Sequence, residues 1–130
     1  AGHRFTIHTD SPSSPIGVLR EMRVAVTRKT RSGKYVLGRD EAITVDDAIK
    51  AVTINAAWQI FEEDTRGSLK VGKLADFTIL SRNLKKIPPE EWKSVEIIGT
   101  YLSGEPAVNE GWSWRKINLM IQTIWGMIFD

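Results

Sequence analysis

Apolar and polar positions along this chain change period several times, and each change predicts an element. Phe5-Thr-Ile-His-Thr-Asp10 is apolar and β-branched and runs into a polar cluster, which predicts a buried strand over residues 4–10. Ser11-Pro-Ser-Ser-Pro15 stops it, with two prolines to prepare a helix start and serines able to cap one. From Ile16 to about Arg28 the period becomes helical, with Val18, Leu19, Met22 and Val26 spaced by three and four near one face. Lys29–Gly38 is polar, holds two glycines, and reads as a mobile loop.

The longest helical pattern covers Val45 to Glu63. Thr44 is its N-cap, and Asp46 and Asp47 fall in the first turn, where the helix dipole favours negative charge. Thr44 and Asp47 have capping-box spacing, with Asp in place of Glu. Ala48, Ile49, Val52, Ala56, Ile60 and Phe61 form a wide apolar face, and Ala48, Ala51, Ala56 and Ala57 predict close approach of another element. Asn55 lies inside this face and reads as a side chain that satisfies a neighbouring loop rather than one that touches a substrate. Beyond it, Gly67 and Gly72 punctuate an extended piece, and Leu74–Leu80 reads as a strand ending in the turn Ser81-Arg-Asn83. Pro88-Pro-Glu-Glu-Trp92 starts a single helical turn. Glu96–Leu102 is a second strand, joined through Ser103-Gly-Glu105 to a terminal strand Ala107–Asn109. Such a hairpin needs further strands, because two strands alone are marginal in water.

The stretch from Trp112 to Asp130 differs in kind. It holds Trp112, Trp114 and Trp125, and Ile117, Met120, Ile121, Ile124 and Ile128 form a helical stripe. Leu119, Trp125, Met127 and Phe129 widen that stripe to most of the circumference. Ile117–Phe129 is shorter than the ~20 apolar residues a membrane span requires. Three readings stand: a helix docked on this subunit, a helix at a subunit or membrane interface, or sequence foreign to the rest.

Composition narrows the field. At 130 residues the chain is one domain or a piece of one, too short for a (β/α)8 barrel of roughly 250 residues. With 42% hydrophobic and 26% charged residues it has ordinary globular balance. The net charge of +2 gives no argument for nucleic acid. Arg20, Arg23, Arg28, Lys29, Arg31 and Lys34 do crowd together, and they read as a solvated helix end and loop rather than a phosphate site. The chain has no cysteine, so disulfides and thiolate chemistry are excluded. Ala1-Gly-His3-Arg lacks a signal-peptide core, which fits a cytoplasmic protein, and the missing Met fits a processed or excised segment. His3 reads as a frayed terminal residue.

A strand that delivers Asp10 where a loop begins is how open α/β sheets and barrels present metal ligands and bases, although many strands end in Asp only to cap a helix. Downstream motifs add to this. His8-Thr-Asp10-Ser-Pro-Ser-Ser-Pro15 resembles the turn after the eighth barrel strand of the amidohydrolase superfamily. Thr44-Val-Asp-Asp-Ala-Ile-Lys-Ala-Val-Thr-Ile-Asn-Ala-Ala57 resembles the helix that follows. Gly67-Ser-Leu-Lys-Val-Gly-Lys-Leu-Ala-Asp76 resembles the segment leading into that family's small β domain. Ile87–Trp92 and Ile97–Glu105 are similar to the YtcJ-like branch, amidohydrolase family 3.

The resemblance covers residues 5–109 and implies an α/β chain that is the C-terminal fragment of a (β/α)8-barrel amidohydrolase. Residues 1–66 would be the last barrel strand and following helices, 67–109 part of a small β-sandwich, and 110–130 an atypical Trp-rich helical tail. It implies hydrolysis of carbon–nitrogen bonds in a small-molecule, non-peptide amide by the full-length enzyme, with a divalent metal, zinc being expected. Asp10 would be the catalytic carboxylate and a metal ligand, and His8 would support that site from behind. Asp76 would bond backbone at the turn entering its strand. The family's other metal ligands, a His-x-His pair and two further histidines among them, have no counterpart here, so this chain alone is expected to hold no metal and to be inactive. Expected partners are the remainder of the barrel and further copies of the chain, with no nucleic acid and no membrane. The alternative is a non-catalytic oligomeric assembly module built on the amphipathic tail.

Overall fold

The computed structural model describes residues 3–107. Among these residues, three short helices, three 3₁₀ turns (the first at Arg39–Glu41) and one loop hairpin precede or flank a small core and an antiparallel sheet. Helix α1 (Val18–Thr27) turns Met22 inward with Leu19 and Val26 beside it, as the spacing predicts. It ends where Arg28 takes a left-handed conformation (φ 54°) and returns its N–H to the Val24 carbonyl at 2.7 Å. The predicted loop at Lys29–Gly38 is an ordered hairpin turn. Lys29 and Val36 form a β-bridge, and the Thr30 carbonyl accepts from Gly33 while Tyr35 accepts from Thr30.

The helix expected over Val45–Glu63 is two: α2 (Val45–Ala51) and α3 (Ile54–Gln59). Val52, Thr53 and Ile54 are β-branched in succession, which disfavours helix by restricting χ1. Thr53 also turns its hydroxyl back onto the Ile49 carbonyl at 2.7 Å, and its backbone leaves the helical region (φ −126°, ψ −97°). Thr44 does cap α2, accepting from the Asp47 N–H at 3.1 Å. The reciprocal bond is not the backbone one of a capping box, since the Thr44 hydroxyl donates to the Asp47 carboxylate at 2.8 Å. The alanines behave as expected: Ala48, Ala51 and Ala57 are buried. A Cβ added at Gly67 would lie 2.7 Å from the Ala57 Cβ and 3.0 Å from the Ile54 Cα, so the chain passes directly against α3 there. The predicted apolar face ends early, however. Phe61 has φ 59° and is 89% exposed, and Ile60 is exposed beside it, because the helix has already stopped at Gln59.

A 3₁₀ turn at Leu84–Lys86 is opened by Asn83, whose side chain accepts from the Lys85 N–H at 2.9 Å. Another at Pro89–Ser94 carries Trp92, with proline at a position whose N–H would have no helical partner. Met22, Ala48, Leu84, Trp92 and Val95 form the buried cluster, ringed by Ile43, Val45, Ile49, Val52, Leu80 and Ile87. Exposed ion pairs, Lys29–Glu90 at 2.7 Å and Lys85–Asp46 at 2.5 Å, tie its edges.

The sheet runs β1 (Phe77–Leu80), β2 (Ile97–Leu102), β3 (Glu105–Pro106), all antiparallel and in that order. Phe77 faces Tyr101 with rings stacked at 4.7 Å, and the register shifts between Ile79 and Leu80. That shift lets Leu80 reach the helical core. Strand β1 is shorter than the predicted Leu74–Leu80; β3 is Glu105–Pro106, and of the predicted strand Ala107–Asn109 the last two positions lie outside the described residues. Ile79, Ile97, Ile98 and Leu102 are left exposed.

One expectation fails outright. Residues 4–10 make no β-ladder and are not buried. A strand needs neighbours for its N–H and C=O groups, and no described strand pairs with it. The predicted helix at 110–130 lies outside the described residues. Among those described, no helix is long and apolar enough to cross a membrane.

Candidate functional site

Asp10 sits at the tip of an N-terminal arm, and its backbone is in the left-handed region (φ 52°) that short polar side chains tolerate. Local bonds hold that turn. His8 Nδ1 accepts from the Asp10 N–H at 3.1 Å. The Asp10 carbonyl accepts from the Ser13 N–H at 2.9 Å and from the Ser13 hydroxyl. That hydroxyl also lies 3.2 Å from Asp10 Oδ2, and Ser14 donates to the Thr9 carbonyl. The Asp10 carboxylate is therefore exposed, steadied on one oxygen, and engaged by no Lys, Arg or His in an ion pair among the described residues. Because His8 uses Nδ1 as an acceptor, its neutral ring carries the proton on Nε2.

Helix α3 supplies the arm's second set of contacts. Asn55 Nδ2 donates to the Phe5 carbonyl at 3.0 Å, and the Thr6 hydroxyl donates to Gln59 Oε1 at 2.8 Å. The Arg4 guanidinium lies 5.1 Å over the Trp58 ring. Asn55 thus does what its position predicted, satisfying a neighbouring segment. Gln59 and Trp58 escaped sequence reasoning, although positions 55, 58 and 59 share a helix face by their i, i+3, i+4 spacing.

A divalent metal does not fit the described donors. Asp10 and His8 stand together, but His8 has already committed Nδ1, and His3 is exposed nearby in sequence only. No three His, Asp or Glu side chains converge among the described residues, whereas a catalytic zinc takes three protein ligands. Asp76 is structural, as expected: Oδ1 accepts from the Ser103 N–H at 2.8 Å and Oδ2 lies 3.8 Å from Arg66. Lys73 ties the same region by donating to the Glu63 and Arg66 carbonyls. The basic cluster lines an open cleft of about 350 Å³, but Arg20, Arg28 and Lys29 are paired with Glu21, Glu41 and Glu90. That matches the solvated reading.

Residues 1–108 match the profile described as "Amidohydrolase family". N-substituted formamide deformylase of Arthrobacter pascens is 32% identical over 104 residues, 80% of this chain and 19% of that protein. Protein LONG AFTER FAR-RED 3 of Arabidopsis thaliana is 35% identical over 107 residues, 78% of this chain and 17% of that protein. YtcJ of Bacillus subtilis, which carries an amidohydrolase name, is 32% identical over 99 residues, 75% of this chain and 19% of that protein. The chain spans less than a fifth of the length of these relatives. No solved structure matches it.

Proposed function

The chain belongs to the amidohydrolase family, and we propose that it supplies the proton-carrying carboxylate, Asp10, to an enzyme that hydrolyses carbon–nitrogen bonds in small non-peptide amides. One observation carries this reading: Asp10 is held by its own turn, through His8 and Ser13, with its carboxylate open and without a cation partner among the described residues. A carboxylate placed to pair would face a cation and one placed to cap would accept a backbone N–H; among the described residues the Asp10 carboxylate meets only the Ser13 hydroxyl. Relatives whose names denote a deformylase of N-substituted formamides and a deaminase also support carbon–nitrogen cleavage.

In this reading a water attacks the carbonyl carbon and gives a proton to Asp10 as the new C–O bond forms. The C–N bond then breaks, and the leaving nitrogen takes that proton from Asp10, so the carboxylate is restored and an acid and an amine result. His8 keeps the Asp10 turn in place by accepting its N–H. Family membership implies a divalent metal, with zinc expected, but the donors here do not make its site. Its ligands would come from the remainder of the barrel, with residues 1–66 closing that barrel and 67–109 contributing to a small β domain. The two parts share one buried core, with Met22 and Ala48 packed against Leu84, Trp92 and Val95. The assembly reading rested on residues 110–130 and has no support within 3–107.

The test is Asp10→Asn in the full-length protein, assayed on an N-substituted formamide. We expect kcat to fall on the order of 10²–10⁴-fold with KM little changed. Wild-type kcat in this variant would remove Asp10 from the chemistry.

A further inference from the structure

The arm that ends in Asp10 lacks the support a strand would have. Residues 3–10 share no ladder with any described segment, so backbone hydrogen bonding to neighbours does not fix where Asp10 stands. Helix α3 fixes the arm's N-terminal side, while beyond it Arg20 of α1 donates to the Pro15 carbonyl at 2.6 Å. Asn55 holds the Phe5 carbonyl, and Gln59, one helical turn on, holds the Thr6 hydroxyl. These are adjacent residues of the arm gripped from two successive turns of one helix face, so both the position and the direction of the chain leaving Thr6 are set. The grip is itself anchored, because Gly67 packs against Thr53, Ile54 and Ala57 at a distance that admits no Cβ.

We propose that Asn55 and Gln59 are positioning residues whose task is to aim the segment carrying Asp10. The proposal rests on the reading of Asp10 as the proton carrier. Neither side chain needs to reach a substrate for this; each acts through four or five residues of arm. An amide is suited to the task at position 55, because Nδ2 can donate to a backbone carbonyl whatever side chain residue 5 carries. Displacement of a reacting group by about 1 Å can lower a rate by 10²-fold, so loosening the arm should register in kcat without a change in substrate affinity.

The experiment uses the full-length protein with Asn55→Leu, which keeps the branching at Cγ and removes the donor, and with Thr6→Val, which removes only the arm's hydroxyl. Each is made alone and together with Asp10→Asn. For Asn55→Leu we expect kcat to drop about 10–100-fold with KM unchanged. The Asp10 amide, whose N–H donates to His8, should exchange faster while those of α1 keep their protection, and Asn55→Gln should recover part of the loss. In the Asp10→Asn background the Asn55→Leu effect should vanish, because a residue acting through Asp10 has nothing left to aim. Thr6→Val should show the same pattern more weakly, and it serves if Asn55→Leu does not fold. Wild-type kcat and wild-type exchange in both variants would overturn the proposal, as would an equal fold loss with and without Asp10. An active Asp10→Asn enzyme would instead sink the reading beneath it, and the exchange data would still show whether the grip exists.

Discussion

The helical core and the Asp10 arm are held together by opposite means. Around Met22, Ala48, Leu84, Trp92 and Val95, nonlocal apolar contacts from α1, α2 and the 3₁₀ turns at Leu84–Lys86 and Pro89–Ser94 enclose side chains from water. The arm is exposed, owns no ladder, and hangs on two side-chain hydrogen bonds and a cation over an aromatic ring. Burial gives a region stability that is insensitive to small changes at its rim, whereas a few polar contacts give direction at little stability. The chain thus separates what keeps it folded from what aims its carboxylate, and substitutions should report the separation.

Trp92 should give the largest effect. It is 2% exposed at the centre of the core, so Trp92→Ala should lower unfolding free energy by about 3–5 kcal/mol in urea titrations. Its indole N–H is buried without a partner among the described atoms, so Trp92→Phe removes an unsatisfied donor along with volume. That change should cost only about 1–2 kcal/mol. The Asp10 arm should not sense it: His8 imidazole resonances should be unshifted in folded Trp92→Phe. A shift there would mean the two regions are coupled more tightly than their contacts indicate.

Gly67 packs against α3, the helix that holds the arm, and it tests the comparison from that side. Its φ is 80°, and a Cβ would collide with Ala57, Ile54 and the Thr53 carbonyl. Gly67→Ala should destabilise by about 2–4 kcal/mol, strain and overpacking together. Gly72 has φ 90° but nothing within 4 Å of the same atom, so Gly72→Ala should lose only about 1 kcal/mol. Displacing α3 also displaces Asn55. Gly67→Ala should therefore speed exchange of the Asp10 amide, and Gly72→Ala should not. Smaller still is Asp10→Asn, where an exposed carboxylate without an ion pair should change stability by no more than about 0.5 kcal/mol in either direction. A larger loss would make Asp10 a structural residue.

The same division explains what could be read from the sequence. Helix α1, the Thr44 cap, the alanine approach and the hairpin strands were legible because local signals and burial agree there: spacing in α1, hydroxyl chemistry at Thr44, small residues where Gly67 passes. The break at Val52–Thr53 was misread because apolar periodicity continues through it while the Thr53 hydroxyl ends the helix. The arm was misread as a buried strand because Phe5-Thr-Ile has strand composition, but composition cannot provide the neighbours a strand pairs with. Asp10 and His8 are singled out by motif alone, and the structure adds only how they touch. Gln59 was missed because its role exists only where α3 meets the arm.

Acid should act on the core's rim, and weakly. The Lys85 ammonium hydrogen-bonds Asp46 and adds its charge, holding that carboxyl below its ordinary range, with Lys50 assisting. Lys29 does the same by hydrogen bond for Glu90, helped by a backbone bond. Both carboxyls are therefore depressed in the folded state. Their contribution is present in full above the unfolded-state values and is lost as pH falls through the folded ones, in a window below about pH 4. Both are solvent-exposed, so screening keeps the contribution small and salt should shrink it further. The measurement is Tm against pH for wild type and for the Lys29→Ala, Lys85→Ala double variant. Wild type should be slightly more stable near neutrality, and the gap should close toward pH 3. A gap that stays constant or widens on acidification would show that the lysines stabilise by packing their stems on the core rim, so that even the rim would belong to the apolar half of the comparison.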